Sequence, residues 1–513
     1  MTGVSARHDA EGLRLDELAR ELPQSSVITG DASTRVRGVR HDSRRVEPGD
    51  LFVARPGFHA DGVRFVADAV ARGAVAVMAT RGAVVPGIER VPVLRVDDVN
   101  AGLAYAASAV YGQPSFALDV VGITGTNGKT TTAHLTRAAV DGALGCTRCG
   151  VLGTVGHGFD DWHVPAEHTT PEADDVARAM VEMRVRGATH VAMEVSSHAL
   201  ALGRVRAVHF RVAAFTNLTQ DHLDFHGSMA SYGEAKARLF TELGPHTVVL
   251  NVDDAFGRDL VRRVQAPVVR VSTSEWASPR EAEVAPRRVR ATARGIEAEV
   301  RTPAGEVALA SGLVGTYNLE NLLVALAVAH ALELDVVGAA AALSREPAPA
   351  GRLERCDDEY DAVSVLVDYA HTPDALARVL EAVRPLSRGR VWCVFGCGGD
   401  RDPTKRVPMG YAAARRADVL VVTSDNSRTE DPRAIAAEIV AGARAAGADP
   451  IVELDRRRAI DLAVQSADDR DVIVVAGKGH EDYQVIGTVK HPFDDRTEAR
   501  RALSLRRRTR GGI

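Results

Sequence analysis

A glycine-rich segment between an apolar run and a helix-forming stretch predicts a site for a polyphosphate. Residues 124–132 read TGTNGKTTT and directly follow the apolar run 120–123. A buried strand that ends in a glycine loop and opens a helix presents backbone N–H groups and the positive end of the helix dipole to an anion. Lys129 is placed to reach the terminal phosphates, and the hydroxyl of Thr130 or Thr131 is placed to bind Mg²⁺. The segment therefore predicts binding of a nucleoside triphosphate.

The spacing of the glycines departs from the strict P-loop consensus. That consensus needs glycine at position 123, where the chain has Ile123, and the glycines fall at 122, 125 and 128 instead. Strand, loop and helix still occur in the order that phosphate binding requires. The predicted nucleotide-binding residues of this segment are Gly125, Thr126, Asn127, Gly128, Lys129, Thr130 and Thr131.

Lysine is rare in this chain, so the positions that keep it are informative. Of 63 lysines and arginines only five are lysine, at 129, 236, 405, 478 and 490. This bias suggests a GC-rich genome that encodes arginine wherever a plain positive charge suffices. A primary amine, unlike a guanidinium, can act as a compact charge on a phosphate or react covalently. We expect a specific role for the retained lysines, except for Lys490, whose surroundings are typical of a solvated surface.

Acidic and histidine side chains follow two further predicted strands. Glu194 follows the apolar run 190–193, and the segment 221–226, DHLDFH, comes after the apolar run 212–215. Mg²⁺ prefers oxygen ligands and phosphates, so Glu194 is the stronger candidate ligand and His222 the weaker one. A histidine-rich loop alone is more often structural, but its place beside a nucleotide loop favours the metal.

The order of apolar runs and helical stretches predicts an α/β protein with three domains. Residues 1–116 form a small α/β domain, and 117–348 form a central ATP-binding domain with a parallel sheet and an antiparallel patch near 280–311. Residues 349–513 alternate strands and helices as a doubly wound, Rossmann-like domain. In such sheets the binding loops are expected at the carboxyl ends of the strands.

Composition argues against several classes of protein. The net charge of −5 gives no basis for attraction to nucleic acid, and no apolar run approaches the roughly 18 residues of a membrane span. The N-terminus lacks a signal-peptide core, and a chance spacing is favoured over zinc for the one C-x-x-C, Cys146 and Cys149. The arginine-rich stretch 500–510 is interpreted as a solvated charged end. We expect a cytoplasmic protein with no membrane insertion and no nucleic-acid partner.

Ten motifs in a fixed order resemble the Mur ligases, the ATP-dependent amino-acid ligases of peptidoglycan synthesis. They are TGTNGKTT (124–131), MEVSSHAL (193–200), NLTQDHLDFHG (217–227), YGEAKARLF (232–240), GTYNLEN (315–321), GRLE (351–354), VDYAHTPD (367–374), VFGCGGDRD (394–402), DNSR (425–428) and GKGHE (477–481). The resemblance as a whole runs from about residue 42 to 496. The branch of the family most resembled adds the third residue to UDP-N-acetylmuramoyl-L-alanyl-D-glutamate.

The resemblance assigns substrate contacts residue by residue. The positions that match contacts to the UDP-muramoyl peptide are His41, Ser43, Phe58, His59, Ala60, His168, Thr169, Thr170, Ser196, Leu202 and Arg204. Leu202 stands where the family often has glutamine. The positions that match the pocket for the incoming amino acid are Arg401, Asp425, Asn426, Ser427, Arg428, Gly477 and Glu481.

The resemblance also implies the catalytic and ATP-binding residues. Lys236 matches the lysine that CO₂ converts to a carbamate, N6-carboxylysine, at the magnesium site. The implied metal set is Thr130, Glu194, His222 and the carbamate of Lys236, and the implied catalytic set is Lys129, Lys236, Glu194 and His222. Asn318 and Asn321 resemble residues near adenine, and Arg352 resembles a residue that reaches the ATP phosphates.

The implied reaction is ATP-dependent amide formation. The side-chain carboxylate of D-glutamate becomes an acyl phosphate, which the amine of a diaminopimelate then attacks. The family marks this specificity with D-N-P-R, and residues 425–428 read DNSR, which keeps the arginine. We expect a monomer that acts on small molecules and favours meso-diaminopimelate. Ligases for L-lysine or LL-diaminopimelate remain alternatives, while a folylpolyglutamate-synthetase-like ligase, a P-loop motor or regulatory NTPase and a binding module are disfavoured.

Overall fold

Three predominantly parallel sheets follow one another along the chain, with helices packed on their faces. This computed structural model describes residues 12–57, 61–85, 90–292 and 295–510. The chain forms two compact units. The first runs to Arg270 and includes Val324–Ala339, and the second holds Val271–Leu323 and the residues from Ala340 onward. The predicted α/β fold class is confirmed, while the predicted domain boundaries remain a prediction.

The first unit begins with a five-stranded sheet. Its segment comprises β1 (Leu13–Arg14), α1 (Leu15–Glu21), β2 (Ser26–Thr29), β3 (Arg35–Val36), β4 (Gly38–Arg40), β5 (Asp50–Ala54), α2 (Val66–Ala71), β6 (Ala76–Thr80), β7 (Val93–Val96) and α3 (Val99–Val110). The sheet order is β2-β7-β6-β5-β4, and only β2 is antiparallel to its neighbour. Strand β5 is buried along its whole length, as expected for a strand covered on both faces.

An eight-stranded sheet completes the first unit. Its elements are β8 (Asp119–Thr124), α4 (Lys129–Leu144), β9 (Cys149–Gly153), β10 (Gly156–Phe159), β11 (Trp162–Val164), α5 (Ala173–Val185), β12 (His190–Glu194), α6 (Ser197–Ala201), β13 (Val212–Phe215), α7 (Leu223–His226), α8 (Met229–Thr241), β14 (Thr247–Asn251), α9 (Ala255–Arg263) and β15 (Val268–Val271). The order is β11-β10-β9-β12-β8-β13-β14-β15. Strands β10 and β11 are antiparallel, so the sheet is mixed at this edge and not wholly parallel as predicted.

The register of the central strands brings three loops together. Glu194, the last residue of β12, pairs with Ile123 of β8, and Phe215, the last residue of β13, pairs with Thr124. Because parallel strands point the same way, the segments that follow all three strands lie at one edge of the sheet. The phosphate loop, Glu194 and the histidine-rich segment are thereby placed side by side.

The second unit holds an antiparallel sheet and a doubly wound sheet. Its segment comprises β16 (Ala285–Thr292), β17 (Gly295–Thr302), β18 (Gly305–Ser311), α10 (Thr316–Ala331), α11 (Val336–Leu343), β19 (Glu354–Arg355), β20 (Ser364–Asp368), α12 (Pro373–Val383), β21 (Val391–Phe395), α13 (Arg406–Ala414), β22 (Val419–Val422), α14 (Pro432–Ala445), β23 (Ile451–Val452), α15 (Arg456–Ser466), β24 (Val472–Ala476), β25 (Tyr483–Ile486), β26 (Val489–Pro492) and α16 (Asp495–Arg510). Part of α10 and α11 belongs to the first unit. The predicted antiparallel patch is the sheet β16-β17-β18, and the doubly wound sheet has the order β19-β20-β24-β21-β22-β23.

A buried ion pair anchors the last helix to the carboxyl edge of the doubly wound sheet. Arg456 and Asp495 have side chains with no exposure and form two hydrogen bonds of 2.7 Å. Arg456 also donates to the carbonyl oxygens of Ser424 (3.2 Å) and Ala476 (2.9 Å), which follow β22 and end β24. The guanidinium thus has a counter-charge and two further acceptors, as a buried charge requires.

The interpretation of the arginine-rich stretch as a solvated end is wrong for Arg506, whereas Arg500 and Arg501 are exposed as that interpretation expects. Arg506 is buried and donates to the carbonyl oxygen of Val464. Three arginines of α16, including Arg506, form ion pairs with acidic residues that precede them in the chain. The pairs are Arg500 with Glu354, Arg501 with Asp461 and Arg506 with Asp469. Each of these three arginines is therefore paired with a carboxylate of the second unit.

We expect Asp495→Asn to lower the free energy of unfolding by about 3 kcal/mol or more, because it leaves the buried guanidinium without a counter-charge. Arg444→Ala removes the exposed ion pair between Arg444 and Asp449 and should cost at most about 1 kcal/mol. Urea unfolding followed by circular dichroism measures both values. Equal losses in the two variants would contradict the role given to the buried pair.

Candidate active site

The predicted phosphate loop lies between β8 and α4 in a conformation that needs glycine. Gly125 and Gly128 have φ angles of 155° and 86°, which residues with a Cβ rarely adopt. A Cβ on Gly125 would also overlap the side chain of Thr216. Helix α4 begins directly after this loop at Lys129, so its first backbone N–H groups face the space above the loop. The arrangement is that of a helix N-terminus able to bind an anion.

The segment after β13 holds the phosphate loop in place. Thr216 donates its hydroxyl to the carbonyl oxygen of Asn127 (2.6 Å), and the Asn217 side chain accepts the N–H of Asn127 (3.0 Å). The carbonyl oxygen of Asn217 accepts the N–H of Thr126 (2.7 Å), and the Thr126 hydroxyl donates to the carbonyl oxygen of Thr219 (3.1 Å). These bonds fix the loop backbone before any ligand binds.

Two lysines reach the same carbonyl oxygen of the loop. Lys129 Nζ donates to Gly125 O and to Thr126 O, both at 2.9 Å. Lys236 Nζ, which comes from α8, donates to Gly125 O at 2.8 Å. Lys236 is only 1 % exposed, and its Nζ lies 4.5 Å from the centre of the Tyr232 ring. The two amino groups are therefore close neighbours in a partly dry site.

This environment favours the uncharged form of Lys236. Burial lowers the pKa of Lys236 well below its usual value, and the charge of Lys129 lowers it further, while Asp221 raises it. A lowered pKa increases the share of neutral amine, which is the nucleophilic form. Lys236 is thus suited to react with an electrophile such as CO₂, whereas the always-charged guanidinium of an arginine is not.

Glu194 is held rigidly beside the start of α4. Its carboxylate is 1 % exposed and accepts hydrogen bonds from the Thr130 hydroxyl (3.0 Å), the Thr154 N–H (2.7 Å) and the Thr154 hydroxyl (3.2 Å). A Cβ on Gly153 would overlap the Glu194 carboxylate, so the end of β9 can approach it only as glycine. A hydroxyl and a carboxylate held together in this way form a donor set of hard oxygens that fits Mg²⁺.

His222 lies at the edge of the same site. Its backbone has a φ of 52°, and its ring is partly exposed, with Nε2 3.4 Å from Asp221 Oδ2. Partial burial lowers the pKa of His222, Asp221 raises it, and Lys129 and Lys236 lower it further. The net lowering favours neutral imidazole, the form that binds a metal.

The residues predicted to contact the UDP-muramoyl substrate include His41 and Ser43, and their roles remain a prediction. His41 Nδ1 lies 2.7 Å from the buried carboxylate of Asp174. Burial lowers the pKa of His41, but the hydrogen bond and charge of Asp174 outweigh it, and the pKa is raised. Ser43 is buried in the 3₁₀ turn Ser43–Arg45. Phe58, His59 and Ala60 lie outside the described residues.

Several predicted substrate residues gather next to Glu194. Thr170 donates its hydroxyl to Glu194 O (2.9 Å) and accepts the N–H of Ser196 (3.0 Å), and Arg204 donates to Thr170 O (2.9 Å). Thr169 is connected to the same region through the Thr154 hydroxyl (3.1 Å). His168, which directly precedes Thr169 in the chain, is exposed. Leu202 directly follows α6, and its side chain is partly buried.

An ion cluster that sequence reasoning missed lies beside these residues. The Glu172 carboxylate contacts Arg204 (2.7 Å) on one oxygen and Arg55 (2.8 Å) on the other. Burial raises the pKa of Glu172, but Arg55 and Arg204 outweigh it and leave the pKa below its usual value. Arg55 directly follows β5, so this cluster joins the five-stranded sheet to the eight-stranded one. In a chain with 58 arginines, no sequence signal distinguishes Arg55.

The second unit brings four predicted amino-acid-binding residues together where β22 and β24 end. Asn426 Nδ2 donates to Glu481 Oε2 at 2.8 Å. Gly477 has a φ of 115°, and a Cβ there would lie 2.7 Å from the carboxylate of Asp425. Asp425 and Asn426 are buried, and Glu481 is partly buried. The loops therefore form one polar group that carries two carboxylates.

The remaining predicted residues of this pocket flank a glycine loop after β21. Arg428 Nη1 donates to Gly399 O at 2.8 Å, and the backbone of Arg428 has a φ of 49°. Arg401, on the same loop as Gly399, is exposed. Ser427 is buried beside a cavity of about 430 Å³ that Arg428 also lines. Both arginines lie beside Gly398 of this loop, where a Cβ would meet Arg428 Nη1 at 3.1 Å and Arg401 Cγ at 3.9 Å.

Three residues of the second unit, which are predicted to contact ATP, lie within the described part of the chain. Asn318 and Asn321 are buried near the start of α10, and Asn321 donates to the Asn318 side chain at 3.0 Å. The guanidinium of Arg352 lies 4.8 Å from the centre of the Tyr369 ring. These contacts fix the side chains but do not test the predicted roles.

This chain is similar to known proteins over nearly its whole length. Three family models match in succession: "Mur ligase family, catalytic domain" at residues 35–111, "Mur ligase middle domain" at 123–329 and "Mur ligase, glutamate ligase domain" at 351–479. The UDP-N-acetylmuramoyl-L-alanyl-D-glutamate–2,6-diaminopimelate ligase of Gloeobacter violaceus is 47% identical over 478 residues, 93% of this chain and 95% of that protein. The chain belongs to the Mur ligase family.

Two further similarities extend along the full length of this Mur ligase. The ligase of the same name from Geobacter metallireducens is 44% identical over 513 residues, 96% of this chain and 98% of that protein. A solved structure of a UDP-N-acetylmuramoyl-L-alanyl-D-glutamate–2,6-diaminopimelate ligase has a TM-score of 0.69 and 32% identity, and the match covers 96% of this chain and 99% of that one. The predicted family, the three-domain Mur ligase fold and the ligase class are confirmed, and membership implies the use of ATP. Within the described residues of this Mur ligase, no helix is long and apolar enough to cross a bilayer.

We expect Gly153→Ala to displace the Glu194 carboxylate, because the added Cβ overlaps it, and to weaken binding of Mg²⁺–ATP at least about tenfold. Gly312→Ala is the matched control, since a Cβ at Gly312 meets open space. Isothermal titration calorimetry with a non-hydrolysable ATP analogue and Mg²⁺ measures the change. Wild-type affinity in Gly153→Ala would show that the position of Glu194 is unimportant for the nucleotide.

Proposed function

We propose that this Mur ligase joins a diaminopimelate, with the meso form favoured, to the D-glutamate side-chain carboxylate of UDP-N-acetylmuramoyl-L-alanyl-D-glutamate at the expense of ATP. The observation that carries the proposal is the similarity, over 93% of the chain at 47% identity, to an enzyme named for that reaction. The arginine of the 425–428 segment supports the choice of diaminopimelate over L-lysine. The product would serve peptidoglycan precursor synthesis in the cytoplasm, and the enzyme would act as a monomer.

The first half of the reaction activates a carboxylate. A carboxylate reacts poorly with an amine because oxide is a poor leaving group, whereas the acyl phosphate formed with the γ-phosphoryl group of ATP has a good one. The N–H groups at the start of α4 and the ammonium of Lys129 would stabilise the charge that gathers on the phosphates. Thr130, Glu194, His222 and Lys236 as its carbamate would hold Mg²⁺, which supplies positive charge to the phosphate oxygens.

The second half of the reaction is attack by the amine. The amine adds to the acyl carbon through a tetrahedral oxyanion, which then expels phosphate and leaves the amide. Arg55, Glu172 and Arg204 would help to fix the UDP-muramoyl peptide beside the loop, because their charges are already paired and rigidly placed. The closed site must also exclude water, which would otherwise hydrolyse the acyl phosphate.

The environment of Lys236 supports the proposal that it is carbamylated. The neutral amine attacks CO₂, the new N–C bond forms, and one proton leaves to solvent, so that a buried amine becomes a carboxylate-like ligand. That anion would be stabilised by Lys129, which shares the Gly125 carbonyl oxygen with it. The same closeness that lowers the pKa of the amine therefore favours the modified product.

We expect Lys236→Ala to be nearly inactive, with partial recovery in acetate or formate, which replace the lost carboxylate. Carbon-13 NMR after incubation with labelled bicarbonate should show a carbamate signal in the wild type that the variant lacks. Lys490→Ala is the matched control, because Lys490 is exposed. A wild type without any carbamate signal that depends on Lys236 would disprove the modification.

We expect Arg428→Ala to lower kcat/KM for meso-diaminopimelate about 10³-fold and to reduce its preference over L-lysine, because a bidentate partner of the distal carboxylate is lost. The measurement is kcat/KM of wild type and variant with meso-diaminopimelate, LL-diaminopimelate and L-lysine. Arg433→Ala, an exposed arginine at the start of α14, should behave as wild type. The proposed function is wrong if the wild type prefers L-lysine, and the pocket is wrong if the preference survives in Arg428→Ala.

A further inference from the structure

Lys478 is a fully buried lysine at the centre of the polar group formed where β22 and β24 end. Its side chain has no exposure. Its Nζ donates to Asn426 Oδ1 at 3.0 Å and to Glu481 Oε2 at 3.4 Å, and lies 3.6 Å from Asp425 Oδ1. One ammonium thus contacts three side chains that the sequence predicts to bind the incoming amino acid. Lys478 itself belongs to none of the roles described above.

The ammonium is one of two donors that determine which way the Asn426 amide points. Asn426 Oδ1 accepts both Lys478 Nζ and the N–H of Val485 (2.8 Å), and this leaves Nδ2 to donate to Glu481 (2.8 Å). An amide turned the other way would place its NH₂ group against two donors. Lys478 and the Val485 N–H together exclude that orientation, and Lys478 helps to fix the side chain of Glu481 both through this amide and by its own contact.

Lys478 also balances the charge of the group. Asp425 and Glu481 bring two carboxylates into a space where an unpaired charge is costly. Burial raises the pKa of Asp425, but Lys478 and Arg456 outweigh it, so the pKa of Asp425 is lowered and the carboxylate stays ionised. Without Lys478 the two carboxylates would lose the cation that contacts both of them, and the Arg456 guanidinium is already paired with Asp495.

We infer that Lys478 is a positioning residue for the incoming amino acid, which holds Asn426 and Glu481 in their binding orientation and sets the charge of the pocket. This inference rests on the proposed function, because it takes the substrate to be an amino acid with both ammonium and carboxylate groups. A compact ammonium fits the space between three oxygens, where a planar guanidinium with five donors does not. This accounts for a buried lysine in a chain that otherwise uses arginine.

A purely structural lysine would behave differently from a positioning one. Loss of a structural residue lowers the stability of the second unit and impairs the use of all three substrates alike. Loss of a positioning residue raises KM for the amino acid and leaves KM for ATP and for the UDP-muramoyl dipeptide unchanged. It also makes the pocket more negative, which penalises the distal carboxylate of diaminopimelate more than the distal ammonium of L-lysine.

The test uses Lys478→Met and Lys478→Gln in the full chain, with Lys490→Met as the matched control. Lys490 is exposed, and its Nζ lies 4.1 Å from the centre of the Tyr483 ring. The Nζ of Lys478 lies 5.7 Å from the centre of the same ring, so the control removes a lysine beside the same ring. Lys478→Gln keeps a donor for Asn426 without the charge and is the variant that tests the charge if Lys478→Met folds poorly.

We expect KM for meso-diaminopimelate to rise at least about tenfold in both Lys478 variants, with KM for the other two substrates within about threefold of wild type. The ratio of kcat/KM for meso-diaminopimelate to that for L-lysine should fall by a similar factor. In a Glu481→Gln background, Lys478→Met should have a smaller effect, because the two residues act through one contact.

The inference is overturned if either variant keeps the wild-type KM for the amino acid, if all three KM values rise together, or if the effects of Lys478→Met and Glu481→Gln simply add. Failure of the proposed function is a separate result. In that case the wild type would form no amide with diaminopimelate, and this result is measured on the wild type alone, without the Lys478 variants.

Discussion

The buried carboxylate of Glu194 is the constraint on which the first unit depends. A charge with almost no exposure is tolerated only when donors surround it, and here they come from the first turn of α4 and from the backbone and hydroxyl that follow β9. The carbonyl oxygen of the same residue accepts the Thr170 hydroxyl. One residue therefore aligns the nucleotide loop, the edge strands and the segment predicted to contact the second substrate. Moving Glu194 would disturb all three at once.

The sequence predicts best those features whose residues lie close together in the chain. The passage from β8 through the loop to α4 lies within one short stretch, and Lys236 and Lys478 were conspicuous because lysine is rare. Strands β10 and β11 were missed because GHGF and WHV lack an apolar alternation. The partners of Glu172 and of the α16 arginines lie 32 to 146 residues away in the chain, and in an arginine-rich sequence nothing marks which guanidinium meets which carboxylate. The sequence predicted the members of the second-unit pocket, but the orientation of its amide depends on contacts that only the fold creates.

Two buried lysines show how surroundings decide the chemistry of one side chain. Lys236 faces a carbonyl oxygen, an aromatic ring and the neighbouring Lys129, so burial works against its charge and favours a reactive amine. Lys478 is equally buried but lies within 3.6 Å of carboxylate oxygens of Asp425 and Glu481. Its charge is compensated, and it donates to the side chains of Asn426 and Glu481. The same residue type is thus suited to act as a nucleophile in one unit and as a fixed cation in the other, and arginine is suited to neither role.

The ion pair between Arg456 and Asp495 has a consequence for the order in which the protein is made. Asp495 lies 39 residues after Arg456, and every strand of the doubly wound sheet precedes it in the chain. As the chain emerges during synthesis, the sheet is therefore complete in sequence before the counter-charge that its buried guanidinium needs has been added. Until then Arg456 cannot enter the interior without cost, and the loops after β22 and β24 lack the donor that draws their carbonyl oxygens together. The predicted amino-acid pocket is thus among the last parts of the molecule to take its final form.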